Sequence, residues 1–183
     1  MRRNATLVLA ALLAASVTAA AARAAGVTVN TVIAGGTTLT VAALNSPSFP
    51  DTLTGDDQVA SYQAQLQVVD ARGLASGGGW NLTITSTQYS DGAGHTLPAD
   101  ASTITSVATG CHSGSTCAVP GNNAANTNVA LPISPTSTKI LNASSGSGLG
   151  RIDVAVNVNV GIPANTIAAT YSSTITVAIA AGP

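Results

Sequence analysis

The sequence predicts an all-β protein, and its composition, its periodicity and its turn spacing carry that prediction. Thr, Val, Ser, Asn and Gly dominate after the N-terminal segment, whereas Glu is absent and Lys occurs once. The residues that favour exposed helical surfaces are therefore scarce. Apolar and polar residues alternate with a period of two, which is typical of half-buried strands. We expect a single-domain β-sandwich or a barrel-like antiparallel framework.

Eight or nine strands are expected along the chain. The clearest alternation covers 62–68, 80–85, 152–160 and 171–179. Weaker strand candidates are 27–33, 38–43, 102–107, 128–133 and 138–142. The turn-rich segments between them are 45–57, 73–79, 90–98, 110–126 and 143–150, the last of which is typical of a flexible connector.

The N-terminal segment is typical of an export signal. Arg2 and Arg3 precede an apolar stretch over 7–17, and Ala22 and Ala24 supply the small residues that a signal peptidase requires. We therefore predict a cleaved signal peptide over 1–24 and a domain over 25–183. A transmembrane anchor is the alternative, but the apolar stretch is short for a bilayer. After cleavage no second apolar run remains, so no membrane span is expected in the mature chain.

The charge of the predicted mature chain argues against two classes of partner. Its basic residues are Arg72, Lys139 and Arg151, and its acidic residues are seven aspartates, which gives a formal charge of −4. Nucleic-acid binding requires a basic surface, and so does docking to an anionic membrane. Neither partner is expected.

The two cysteines, Cys111 and Cys117, predict a disulfide, because close pairs in exported chains are usually oxidised. Such a small ring stabilises a fold by about 2 kcal/mol. One alternative is a metal site that adds His112 and His95, although the spacing matches no known zinc pattern. A pair of free thiols is another alternative.

No arrangement of residues points to catalysis. The only imidazoles belong to His95 and His112, and the chain has no nucleophile elbow. Asp56 and Asp57 are adjacent, so on a strand their side chains would point to opposite faces. We predict a non-enzymatic protein without a cofactor or a metal. Calcium held by the aspartates of 51–57 or by Asp91 is a minor alternative.

Two short motifs resemble those of the WxL domain family. A strand ends in Asp-Ala-Arg-Gly at 70–73, and three glycines at 77–79 precede Trp-Asn-Leu at 80–82. Near the C-terminus, Tyr171 is followed by Thr-Ile-Thr at 174–176. Val177 and Ile179 then occupy the positions where the family has its second Trp and Leu.

The resemblance implies a bacterial protein that is secreted and held noncovalently at the cell wall. Its implied partner is peptidoglycan or another bacterial surface protein. A pilin-like or matrix subunit that assembles by β-strand addition is the alternative function. The candidate binding residues are Trp80, Asn81, Leu82, Arg72 and Tyr171.

Trp80 is the only tryptophan, and two interpretations of it compete. It shares strand parity with Leu82 and Ile84, so one face of the strand could bury all three side chains, which we favour. Alternatively, the indole is partly exposed beside the glycine loop and stacks on a sugar or on a partner's strand edge. Arg72 has a similar pair of interpretations: an ion pair with Asp70, or contact with a carboxylate of a peptide stem.

Overall fold

The computed structural model describes residues 31–74, 78–121 and 127–182. These residues form eight strands and contain no helix. The strands are β1 Leu39–Ala43, β2 Gln58–Asp70, β3 Trp80–Ser86, β4 Ser102–Cys111, β5 Val129–Ala130, β6 Thr138–Ala143, β7 Gly150–Ile162 and β8 Ile175–Ala181. The predicted signal peptide lies outside the described residues. Within the described ranges, no helix has the length and hydropathy that a membrane crossing needs.

The strands form two antiparallel sheets that enclose one core, so the predicted all-β fold is confirmed and is a sandwich. The larger sheet has the order β1-β2-β7-β4-β5, and the smaller sheet has the order β6-β3-β8. Buried side chains from both sheets belong to the same hydrophobic cluster. Burial of each large aliphatic side chain stabilises such a core by about 1.5–3 kcal/mol.

Strand β7 is the centre of the larger sheet, and its alternation sets the layout of both faces. Ile152, Val154, Val156, Val158 and Val160 point into the core and are at most 1 % exposed. The strand pairs with β2 over thirteen residues, from Gln58 opposite Ile162 to Asp70 opposite Gly150. It also pairs with β4 on its other side. The polar residues between the valines therefore lie on the outer face, flanked by those of β2 and β4.

A bulge in β4 changes which positions of that strand face the core, from even-numbered residues before it to odd-numbered residues after it. The register with β7 shifts between Ile104 and Ser106, which leaves Thr105 as the extra residue. Ile104 and Val107 both contact the core although three positions separate them. The sequence pattern predicted a strand only over 102–107, because the bulge interrupts the alternation there.

Other boundaries differ from the predictions. The segment 128–133 forms only the two-residue β5, and Pro132, which has no backbone N–H, follows it. Tyr171 precedes β8 rather than belonging to it. Of the candidate strand 27–33, residues 31–33 are not in a strand and the others lie outside the described residues.

Candidate functional site

The indole of Trp80 is buried and has no exposed surface with which to stack on a ligand. Its side chain is 0 % exposed and shares the inner face of β3 with Leu82 and Ile84. Its ring nitrogen Nε1 donates a hydrogen bond of 3.0 Å to the carbonyl oxygen of Gly148. A buried indole N–H needs such a partner, since an unpaired one costs about 1–3 kcal/mol. In the structure, therefore, Trp80 is a core residue and is not a partly exposed indole beside the glycine loop.

The segment 143–150, here called the connector, covers this indole. Gly148 has a φ of 73°, and a Cβ atom there would lie 2.5 Å from the indole Nε1 and 2.6 Å from the Cβ of Ala143. Only glycine permits both the backbone conformation and the close approach. From the sequence we expect a flexible connector. The residues of 143–150 carry no local pattern that indicates their contact with Trp80, which is distant in the chain.

The disulfide loop holds the connector in turn. Cys111, at the end of β4, is bonded to Cys117. Next to Cys117, Ala118 accepts a 2.8 Å hydrogen bond from the backbone of Gly148 and donates one of 3.0 Å to Leu149. The disulfide therefore ties β4 to the backbone that covers Trp80.

Arg72 is occupied by an internal ion pair. Its Nε and Nη2 donate to the two carboxylate oxygens of Asp70 at 2.9 and 2.8 Å, and Nη2 also donates to the carbonyl of Gly79 at 2.9 Å. Asp70 is only 2 % exposed. Burial acts to raise the pKa of Asp70, but the hydrogen bonds from the Arg72 side chain and backbone outweigh it and hold that pKa below 3.8. The guanidinium thus anchors the loop that leads into Trp80.

The five candidate binding residues do not form one exposed surface. Leu82 is buried, and the side-chain amide of Asn81 donates to the carbonyl of Gly182 at 3.0 Å. Tyr171 lies beyond the opposite end of β3, where its hydroxyl donates to the carbonyl of Ile167 at 3.0 Å. Trp80, Asn81, Leu82 and Arg72 therefore cluster in and beside the core, and Tyr171 is separate from them.

The positions of the second Trp-x-Leu motif pair directly with the first motif's strand. On β8, Val177 lies opposite Ile84 and Ile179 lies opposite Leu82. Both side chains are half-buried and pack against the core. These two positions therefore complete the inner face of the smaller sheet in this chain.

Tyr171 borders a cavity of about 450 Å³ between two loops. Two of its polar side chains already have protein partners: Gln88 donates to the carbonyl of Leu97 at 2.7 Å, and His95 Nδ1 lies 2.6 Å from Asp91 Oδ2. The hydrogen bond with His95 is the main cause that lowers the pKa of Asp91 to about 2. In the described ranges, no cluster of three His, Cys, Asp or Glu side chains could hold a metal ion.

The structure contains a second candidate binding surface, which was not predicted from the sequence. It is the outer face of β2, β7 and β4, here called the amide face, whose defining residues are Ser61, Gln63, Gln65, Gln67, Ser106, Asn157 and Asn159. The alternating polar residues predict the solvent-facing side of each single strand. The sequence pattern does not predict that these sides form one surface, because β2 and β7 are neighbours in the sheet although about 90 residues of chain separate them.

Hydrogen bonds connect the side chains of the amide face. Gln63 Nε2 donates to Asn157 Oδ1 at 3.0 Å, and Asn157 Nδ2 donates to Ser106 Oγ at 2.9 Å. Gln65 Nε2 donates to Gln63 Oε1 at 3.2 Å, and a separate pair joins Ser61 to Asn159 at 2.8 Å. These bonds orient the amides, while Gln63 and Gln65 remain exposed to solvent and Asn157 and Asn159 are half-buried.

A shallow groove of about 330 Å³ crosses this face. Ala108, Gly110 and Ala155 form its floor, Leu44 and Gln65 lie on one side, and Asp153 lines the end of the groove nearest Gly110. Ala108 lies opposite Ala155 in the register of β4 and β7. Small side chains at these adjacent positions open a gap between rows of longer polar ones.

Charge is confined to one end of the amide face. There Asp153 accepts a hydrogen bond from Gln67 at 3.2 Å, and His112 Nδ1 lies 3.0 Å from its other oxygen. These contacts, led by that with Gln67, lower the pKa of Asp153. Arg151 is the neighbouring cation on β7. The rest of the face carries neutral hydroxyl and amide groups.

Comparison with known proteins gives one family. The model of the WxL domain, described as a surface cell wall-binding domain, matches residues 24–183. Comparisons with curated proteins and with solved structures gave no significant match.

Replacing Gly148 with Ala tests the packing of the connector on Trp80. We expect Gly148→Ala to lower the free energy of unfolding by about 3 kcal/mol, because the new Cβ overlaps the indole and the φ is unfavourable. Gly92→Ala is the matched control, since Gly92 has a φ of 74° and nothing within 4 Å of its Cβ position. It should cost about 1 kcal/mol. Urea unfolding measures both, and equal losses would contradict the packing.

Removing the Arg72 guanidinium tests the ion pair. Arg72→Met should destabilise the neutral-pH fold by about 3 kcal/mol, because Asp70 stays buried without its partner. The folded-state pKa of Asp70 is lowered, so the pair stabilises the fold above pH 3.8 and that contribution disappears as the pH falls through the folded-state value.

The difference in the free energy of unfolding between Arg72→Met and the wild type should therefore become smaller at acidic pH. Chemical unfolding at neutral pH and below pH 3.8 measures it. In an Asp70→Asn background, Arg72→Met should have a much smaller effect at neutral pH. A penalty that is the same at every pH and in both backgrounds would rule out the ion pair as its source.

Proposed function

The chain belongs to the WxL domain family, and from this membership we propose that it is an exported, non-catalytic protein held noncovalently on peptidoglycan. One observation carries the proposal: the family match covers 24–183, nearly the whole chain. A domain described as cell wall-binding therefore accounts for almost all of the residues available for function. A partner protein on the same surface is compatible with this role.

Export is the first step of the proposed function. The N-terminal pattern of a basic start, an apolar stretch and small residues at 22 and 24 supports a signal peptide over 1–24. The family match begins at the residue where that segment ends. The mature domain would then be 25–183, outside the cell.

The scarcity of charged groups on the amide face supports noncovalent retention through uncharged contacts. The mature chain has a formal charge of −4, and its amide face is neutral over most of its area. Such a surface binds through hydrogen bonds and close packing rather than through ion pairs. Retention should therefore be insensitive to salt.

Cosedimentation tests the proposal. Residues 25–183 are mixed with purified sacculi from which proteins and attached polymers have been removed, and with cellulose as a control polymer. We expect the protein in the sacculus pellet but not in the cellulose pellet. It should remain there in about 1 M salt, where charges are screened beyond about 3 Å, and be released by denaturant. Protein that stays in the supernatant with sacculi, or is eluted by salt alone, would contradict the proposal.

A further inference from the structure

We propose that the amide face is the surface that contacts peptidoglycan, and that it binds the N-acetylated glycan strands rather than the peptide stems. This inference rests on the proposed function and assigns its site. The surface lies on the five-stranded sheet, away from the Trp-x-Leu strand in the smaller sheet. None of the five residues selected from the sequence belongs to it.

The dimensions of the face suit a linear polymer. From Ser61 to Gln67, strand β2 covers about 20 Å at about 3.3 Å per residue. β7 runs beside it over its whole length, and β4 follows on the far side. The result is an open platform three strands wide, long enough for several sugar rings.

The hydrogen-bonding groups suit neutral sugars. Each Gln or Asn side chain combines an acceptor oxygen with a two-proton donor nitrogen. Sugar hydroxyls and acetamido groups offer the same combination. Among the described residues, the Gln65 oxygen and the Asn159 nitrogen have no protein hydrogen-bond partner, so both are available to a ligand.

The internal hydrogen bonds of the face favour binding. Gln63 and Asn157 are held by each other, and Asn157 is also held by Ser106. Side chains that are already ordered lose less conformational entropy when a ligand arrives. A set of freely rotating amides would lack this advantage.

The groove supplies the apolar contact that a sugar ring or an acetamido methyl group needs. Its floor consists of Ala108, Gly110 and Ala155, and its volume is about 330 Å³. Leu44 borders the groove and is half exposed. An acetylated sugar can therefore place its methyl group on the small floor while its polar groups face the amides.

Charge complementarity favours glycan over peptide. Stem peptides carry carboxylates and amines, which require charged partners. The charged groups of the face, Asp153, His112 and Arg151, lie at one end. Asp153 also lines the groove there, but its carboxylate already pairs with Gln67 and His112. Arg72, the cation of the Asp-Ala-Arg-Gly turn, is held by Asp70. The neutral middle of the face matches the uncharged backbone of an N-acetylated glycan.

A matched pair of substitutions tests the location. Ala108 and Ala178 are both exposed alanines on the outer face of a strand, the first on the groove floor and the second on β8 of the other sheet. Ala108→Arg fills the groove and should weaken binding to sacculi by about tenfold or more, which corresponds to about 1.4 kcal/mol. Ala178→Arg adds the same charge and bulk elsewhere and should bind like the wild type.

A second variant removes a hydrogen-bonding group without adding bulk. Gln65→Ala should also weaken binding, whereas Thr176→Ala, an exposed change on β8, should not. Thermal unfolding of all four variants checks that each is folded. Equal binding by Ala108→Arg and Ala178→Arg would overturn the location, and so would a loss of binding in both.

Competition experiments test the ligand. Soluble oligomers of N-acetylglucosamine, which carry acetamido groups and no charge, should displace the mature protein from sacculi, and chemical removal of their acetyl groups should abolish that displacement. Isolated stem peptides should not compete. Displacement by stem peptides alone would overturn the assignment to glycan.

The outcomes distinguish the two proposals. If the wild-type domain sediments and Ala108→Arg sediments equally well, wall binding stands and the amide face is wrong. If the wild-type domain does not sediment with sacculi, both proposals fall.

Discussion

The burial of Trp80 beneath the connector is the interaction on which the arrangement of this fold depends. The indole fills the core at the start of β3, and its single polar atom is satisfied by the carbonyl of Gly148. The Arg72–Asp70 pair fixes the chain that enters this site, and the disulfide loop fixes the connector that covers it. The Trp-x-Leu motif thus acts as a structural element in this chain, because its apolar side chains face inward.

The second motif position is consistent with a structural role for both motifs. Val177 and Ile179 pair with Ile84 and Leu82 across two adjacent strands, so the two motif positions share one sheet and one face. A change from Trp to Val there alters the volume of core packing and leaves the amide face untouched. The smaller sheet therefore supports the core, while the larger sheet presents the polar surface that we assign to binding.

The alternation of apolar and polar residues within each strand predicted much of the fold, but it could not predict contacts between segments that are distant in the chain. Alternation identified β7 and the inward direction of Trp80, because burial imposes a period of two on each strand. It did not reveal the bulge at Thr105, which interrupts that period, or the approach of Gly148 to the indole. The groove depends on the register that places Ala108 beside Ala155, and no single strand carries that information.

Fluorescence of the single tryptophan tests most directly whether the motif is structural while wall contact occurs elsewhere. Trp80 is the only indole in the chain, so its emission reports one site. Emission should be that of an apolar environment, acrylamide should quench it weakly, and neither property should change when the domain binds solubilised glycan strands. Emission typical of a water-exposed indole, or a spectral shift and protection from quenching that follow the binding curve, would contradict this assignment.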